Sequence, residues 1–175
     1  MPRAVRLEKT ELEQNPLIPA EALIPHGLGM RLITGVKRST QKGLVAETTV
    51  SEAWPLNRDG RVSSVIGIEL VAQTISALST YRRGEGARPR IGLLVGVKEA
   101  EFSLSGIPSM TRLTVRVEEL YRLGNYAVFE GKVSTEQALI CSVVLQVMEP
   151  EGETVSNLVR LQRIVPREEG GRGGP

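Results

Sequence analysis

Histidine and cysteine are nearly missing from this 175-residue chain, which holds one of each, His26 and Cys141. A single cysteine excludes an internal disulfide, and no His/Cys/Asp/Glu pattern with metal-ligand spacing appears, so neither metal nor cofactor is expected. Aromatic residues make up only 3% and the formal charge is only +2, with basic residues dispersed. Nucleic-acid binding wants a concentrated basic surface, and single strands want aromatic platforms; the chain has neither. No apolar run approaches the roughly 18 residues of a membrane span, and no charged-then-apolar leader is visible. A soluble cytoplasmic protein is expected. No phosphate-cradling glycine motif is present either.

What remains is enough for one domain with a proper core and too little for two comfortable ones. Residues 1–15 are charged and expected to be loose. Residues 16–150 are expected to form the domain, and 151–175 a C-terminal extension that could add a short helix or an edge strand. Disorder is expected from about residue 166, where glycine and charge dominate. Early in the domain, PLIPAEALIPHGLGM can hold a helical turn over residues 20–23, closed by Pro25. RLITGVKRS and GLVAETTVS read as strands on either side of a turn at Gln41, Lys42 and Gly43.

The period then changes. In VIGIELVAQTISAL, with Ser64 as N-cap and Gly84 as stop, Val65, Ile68, Ala72, Ile75 and Leu78 recur at helical spacing and predict the core face. Because Ile66, Leu70 and Val71 are apolar as well, the helix should be buried over most of its circumference. Four strands follow: RIGLLVGVKEAEFSL, TRLTVRVEELY, YAVFEGKVST and ALICSVVLQVM. Tight connections at Gly124-Asn125 and Glu136-Gln137 suit an antiparallel meander. The expected class is α+β, a curved antiparallel sheet wrapped around one long central helix.

Glu69 is out of place in that helix. A buried, unpartnered carboxylate costs several kcal/mol, so Glu69 either faces water or has work to do. Near the helix start the dipole favours its anion, whereas desolvation favours the neutral acid. Gln73, at i+4, could hydrogen-bond it. His26 follows Pro25, which fixes the approach, and precedes Gly27 and Gly29, which let a ligand come close. Other candidates are weaker. Cys141 reads as a small core residue, Ser63-Ser64 as a cap and not a hydrolase serine, and the Asn57–Asp59 segment NRDG as a turn. Arg82, Arg83, Arg88 and Arg90 form the one local basic cluster.

Three segments together, ALIPHGLGMRLITGV, GIELVAQTISAL and GLLVGVKEAEF, resemble the hotdog-fold beta-hydroxyacyl-ACP dehydratases, closest to the ApeP-like branch linked to aryl polyene biosynthesis. The Glu-x-x-Ala-Gln of Glu69, Ala72 and Gln73 is the most specific piece. The His26–Met30 segment is less so, and the Gly96, Ala100, Phe102 spacing is only supportive. The resemblance implies a hotdog fold and a dyad of helix carboxylate and histidine made across a dimer interface. It implies that His26 takes the alpha proton of a 3-hydroxyacyl thioester while Glu69, as the acid, assists loss of the hydroxyl as water. Helix N-terminal amides at Val65, Ile66 and Gly67, with Gln73, would bind the substrate and polarise its carbonyl. The product would be a trans-2-enoyl thioester. The implied partners are an acyl carrier protein, docked at Arg82, Arg83, Arg88 and Arg90, and a second copy of the chain in a homodimer or an assembly of dimers.

One departure from the family pattern matters. The common dehydratases carry their base in a Gly-His-Phe-Pro loop, and the ungapped equivalent of that histidine here is Pro55. Either His26 has taken over as base, or the chain binds acyl thioesters without dehydrating them, as a partner subunit. A hotdog acyl thioesterase using Glu69 to activate water is a further alternative. GIPSM also stands where relatives carry a Pro-Gly-Asp turn.

Overall fold

The computed structural model describes residues 17–27, 29–37 and 42–150. The expectations for residues 1–15, for residues 151–175 and for Gln41 in the first turn lie outside the described residues. Among the described residues, ten strands and one long helix are arranged as two short strands, β1 (Ile18–Pro19) and β2 (Gly35–Lys37), then β3 (Gly43–Thr49), β4 (Asn57–Arg58) and β5 (Arg61–Ser63). Helix α1 (Ile66–Arg82) follows, and then β6 (Leu93–Phe102), β7 (Gly106–Pro108), β8 (Arg112–Leu123), β9 (Tyr126–Ser134) and β10 (Leu139–Met148). A 3-10 turn at Ala20–Ala22 sits where the proline-bounded helical turn is expected.

Seven strands form one antiparallel sheet in the order β1-β2-β3-β8-β9-β10-β6, and α1 packs on its concave side. This is the hotdog arrangement. Alternation along β8 places Leu113, Val115 and Val117 in the core, facing Leu70, Val71 and Leu78 of the helix layer. Close approach demands glycine at two positions. A Cβ on Gly131 of β9 would lie 2.3 Å from Val71, and one on Gly67 would lie 2.3 Å from Cys141 Sγ. Cys141 is fully buried, as a small core residue should be, and desolvation pushes its thiol up to about 11.

Three details differ from the sequence reading. First, RLITGVKRS becomes a strand only at Gly35, because the N–H groups of Leu32 and Ile33 are taken by the Gln73 side chain and not by a ladder. Second, Ser64 does not cap α1. The Gly67 and Ile68 N–H groups are already turned back to the Ser64 and Val65 carbonyls in a tight first turn, which leaves the Ser64 hydroxyl buried with no partner among the described residues. Third, the face of α1 that packs on the sheet centres on Gly67, Leu70, Val71, Thr74 and Leu78, not on Val65, Ile68 and Ala72; Val65 is half exposed. The helix is nonetheless covered nearly all round, and it ends at Gly84 in the left-handed region (φ 93°) as expected.

A second sheet of three short strands, β4-β5-β7, braces the start of the helix. Its hairpin turns at Asp59 (φ 51°) and Gly60 (φ 75°), and Asn57 Oδ1 accepts the Gly60 N–H at 3.1 Å. The GIPSM segment supplies its third strand.

Candidate active site

Glu69 lies on the one stripe of α1 that does not pack on the sheet, together with Ala72, Ser76 and Ser79. Its Oε1 accepts a hydrogen bond from Gln73 Nε2 at 2.8 Å, the i+4 contact the sequence suggests. Gln73 is fully buried and spends its whole amide. Its Oε1 accepts the N–H of Leu32 at 2.9 Å and of Ile33 at 3.4 Å, and its Nε2 also donates to the Met30 carbonyl at 2.6 Å. Two N–H donors on one end fix which way round the amide sits. Glu69 Oε1 is therefore an acceptor, and Oε2 is the oxygen free to carry a proton.

The same glutamine positions the histidine. His26 sits in the loop between the 3-10 turn and β2. That loop is closed by Met30 and Arg31 N–H bonds to the Gly27 carbonyl and is pinned to α1 through Met30, Leu32 and Ile33. His26 Nε2 reaches to 3.6 Å from Glu69 Oε1, with the two side chains 32% and 35% exposed. That separation is a close polar contact, longer than a hydrogen bond. Both residues belong to one chain, so a single subunit already holds the pair at this distance.

The pair opens on a cavity of about 380 Å³ that runs along the α1 stripe. Pro25, His26 and Glu69 form one end; Ala72, Ile75, Phe129, Val147 and Leu94 make apolar walls; Ser79, Arg82, Arg90, Arg122 and Glu149 surround the other end. Among the described residues no group of His, Cys, Asp and Glu could hold a metal ion, and no helix is long and apolar enough to cross a membrane.

A model of the ApeP dehydratase family matches residues 18–160, most of the chain. The chain belongs to the ApeP-like dehydratase family. Among solved structures, this family member is similar to a chain of the ApeI:P dehydratase heterocomplex from Xenorhabdus doucetiae, at 22% identity and a TM-score of 0.72, covering 81% of this chain and 97% of that one. It is also similar to an uncharacterized protein from Pyrococcus horikoshii, at 15% identity and a TM-score of 0.56, covering 77% and 96%. A mutant thioesterase from Pseudomonas aeruginosa matches at 18% identity and a TM-score of 0.55, covering 78% and 91%. At these identities the structural likeness shows the shared fold. No curated protein matches.

The ApeP-like chain does not bring all its expected site residues together. Val65, Ile66 and Gly67 lie at the helix start, outside the cavity lining. The Gly67 N–H donates to the Ser64 carbonyl at 2.9 Å, so it is not free to polarise a substrate. The N–H groups of Val65 and Ile66 have no acceptor among the described residues. The four arginines separate. Arg82 and Arg90 line the cavity, whereas Arg83 staples the helix end by donating to the carbonyls of Ser79 and Arg88 and to Thr80 Oγ1. Sequence reading missed Ser79, Glu119, Arg122 and Glu149. Their only signal was polar residues on an otherwise apolar stripe and a charged strand end.

Proposed function

We propose that this chain dehydrates 3-hydroxyacyl thioesters carried on an acyl carrier protein, giving trans-2-enoyl thioesters in fatty acid or aryl polyene type synthesis, and that it acts as a homodimer. The observation that carries the reading is the convergence of His26 and Glu69 at the end of an apolar cavity, with Gln73 dictating which Glu69 oxygen can hold a proton. His26 Nε2 takes the alpha proton. The electron pair forms the Cα–Cβ double bond as the Cβ–O bond breaks, and Glu69 Oε2 gives its proton to the departing hydroxyl, which leaves as water. The thioester carbonyl gains negative charge during the proton transfer, and the positive end of the α1 dipole, whose first turn carries Glu69, suits that charge. An acidic carrier would meet the loop after α1, where Arg88 is exposed and Arg83 holds the loop in shape.

A second reading, a subunit that binds the acyl thioester for an active partner, is favoured by the likeness to a chain of a dehydratase heterocomplex and by Pro55 in place of a loop histidine. Enoyl absorbance on carrier-bound 3-hydroxyacyl thioesters of several lengths separates the two. If dehydration is right, Glu69→Gln and His26→Ala each lower turnover by about 10²-fold or more, since a positioned acid or base is worth that. Glu69→Gln keeps an acceptor for Gln73, so it should melt like the wild type. Non-additive losses in the double variant would mark one proton-transfer unit. Full activity in His26→Ala overturns its role as base, and a wild-type chain inert at every length favours the partner subunit.

A further inference from the structure

The dehydration chemistry leaves the far end of the cavity without a task, yet that end is built with care. Pairing between β8 and β9 passes from Glu119↔Phe129 directly to Tyr121↔Val128, so Leu120 is an extra, bulged residue. On a regular strand Glu119 and Arg122 would point to opposite faces; the bulge turns both toward the helix. There Arg82 and Arg122 both bind Glu119, Arg122 at 2.9 Å. Burial works against the Glu119 anion, but the hydrogen bonds from the two arginines prevail and hold its carboxyl below the ordinary range. Ser79 Oγ donates to Glu149 Oε1 at 2.7 Å, and Arg122 Nη1 lies 4.0 Å from the same oxygen. Two guanidinium groups thus meet two carboxylates. Arg90 has no carboxylate within ion-pair distance among the described residues, and it lines the cavity.

A fixed, hydrogen-bonded framework with one unspent cation beside it is an arrangement for holding an anion. We propose that this end is an anion subsite centred on Arg90, which binds an oxyanion of the same ligand whose thioester rests at His26 and Glu69. The position of the thioester rests on the dehydratase reading above. From Glu69 to Ser79 the helix rises about 15 Å, so the anion belongs to the other end of an extended ligand. Two sources have the right chemistry: the phosphate ester of the carrier's pantetheine arm, or a carboxylate at the distal end of the acyl chain. Apolar walls suit an acyl chain, and a methyl terminus gains nothing from three arginines.

Equilibrium binding by calorimetry tests this without turnover, on the full chain, with three probes: 3-hydroxydecanoyl-pantetheine, its 4′-phosphate, and the pantetheine thioester of a 3-hydroxy diacid of equal length. One of the two anionic probes should bind about 10-fold more tightly than the neutral one, the scale of a charge-assisted hydrogen bond at a half-exposed site. The probe that gains names the source. In Arg90→Ala that ratio should collapse to about one, and in Arg90→Glu it should invert. Because no carrier protein is present, docking by the arginine cluster cannot produce the difference. Equal affinity for all three probes, or a ratio that survives Arg90→Ala, overturns the subsite. An inert enzyme that still shows an Arg90-dependent ratio keeps the subsite and loses the dehydratase reading. An active enzyme with no ratio does the reverse.

Discussion

Replacing Gln73 should cost more stability than its chemistry suggests, because three of its four partners are backbone groups that cannot be mutated away. Gln73→Leu keeps the volume and removes four polar contacts. The Met30 carbonyl belongs to a half-exposed residue and can turn to water, whereas Leu32 and Ile33 are both only 2% exposed. Two buried N–H groups are then orphaned, at about 1–3 kcal/mol each. The sum, about 2–6 kcal/mol, is a large part of the roughly 5–15 kcal/mol that holds a domain together. In a chain of this size it corresponds to a Tm lowered by about 4–24 °C, read by circular dichroism. Gln73→Glu separates the hydrogen bonds from the packing. Its neutral acid can still donate its one proton to Met30 or to Glu69, while its anion sets two carboxylates side by side. The introduced carboxyl therefore has a folded-state pKa above its unfolded one. The stability it supplies is present below the unfolded value and lost as pH rises through the folded one, so the Tm gap to wild type should narrow toward acid. A Gln73→Leu variant melting within about 2 °C of wild type would refute the reasoning.

Two further outcomes follow from the packing and the sheet edge. Gly67→Ala drives a Cβ against Cys141 Sγ and should cost about 1–3 kcal/mol. Adding Cys141→Ala should recover part of the loss, and a denaturant double-mutant cycle with no coupling would deny the contact. β6 is a ten-residue edge strand with Leu94, Val95 and Val97 more than 40% exposed, so Val95→Lys with Val97→Lys should turn the proposed homodimer into a monomer by light scattering. Unchanged mass at micromolar concentration would place the interface elsewhere.

The long strands were legible because one face of each is wet or the run is continuous. Leu113, Val115 and Val117 alternate with Thr114, Arg116 and Glu118, and the observed burial follows that alternation. The β4-β5-β7 sheet was not legible. Its strands span two or three residues, and β5 pairs with β7 across more than forty residues of chain, so local propensity carries little of it. Only its Asp59-Gly60 turn announced itself. The left-handed Leu56 and Met110, bulky residues at φ 63° and 65°, had no signal in composition at all. The polar end of the cavity escaped for a related reason: it depends on the bulge at Leu120, and without that bulge the pattern assigns Arg122 to the wrong face.

The misassigned helix face follows from the same limit on periodicity. An apolar residue that lines a cavity and one that fills a core look alike in a hydrophobic pattern. In α1 the two sets interleave. Gly67, Leu70, Val71, Thr74 and Leu78 pack on the sheet, and Ala72, Ile75, Ser76 and Ser79 look into the cavity. Reading both as a single face centred on Val65 and Ile68 rotates the helix and leaves Glu69 with no environment of its own. Once they are separated, Glu69 is no longer an anomaly. It is the charged member of the cavity stripe, one turn before a glutamine that has no freedom left. The small residues at 72, 76 and 79 are what leaves room beside it for a ligand. An apolar helix with one carboxylate and a run of Ala and Ser at three- and four-residue spacing is thus a helix with two interiors, and the carboxylate marks which of them is hollow.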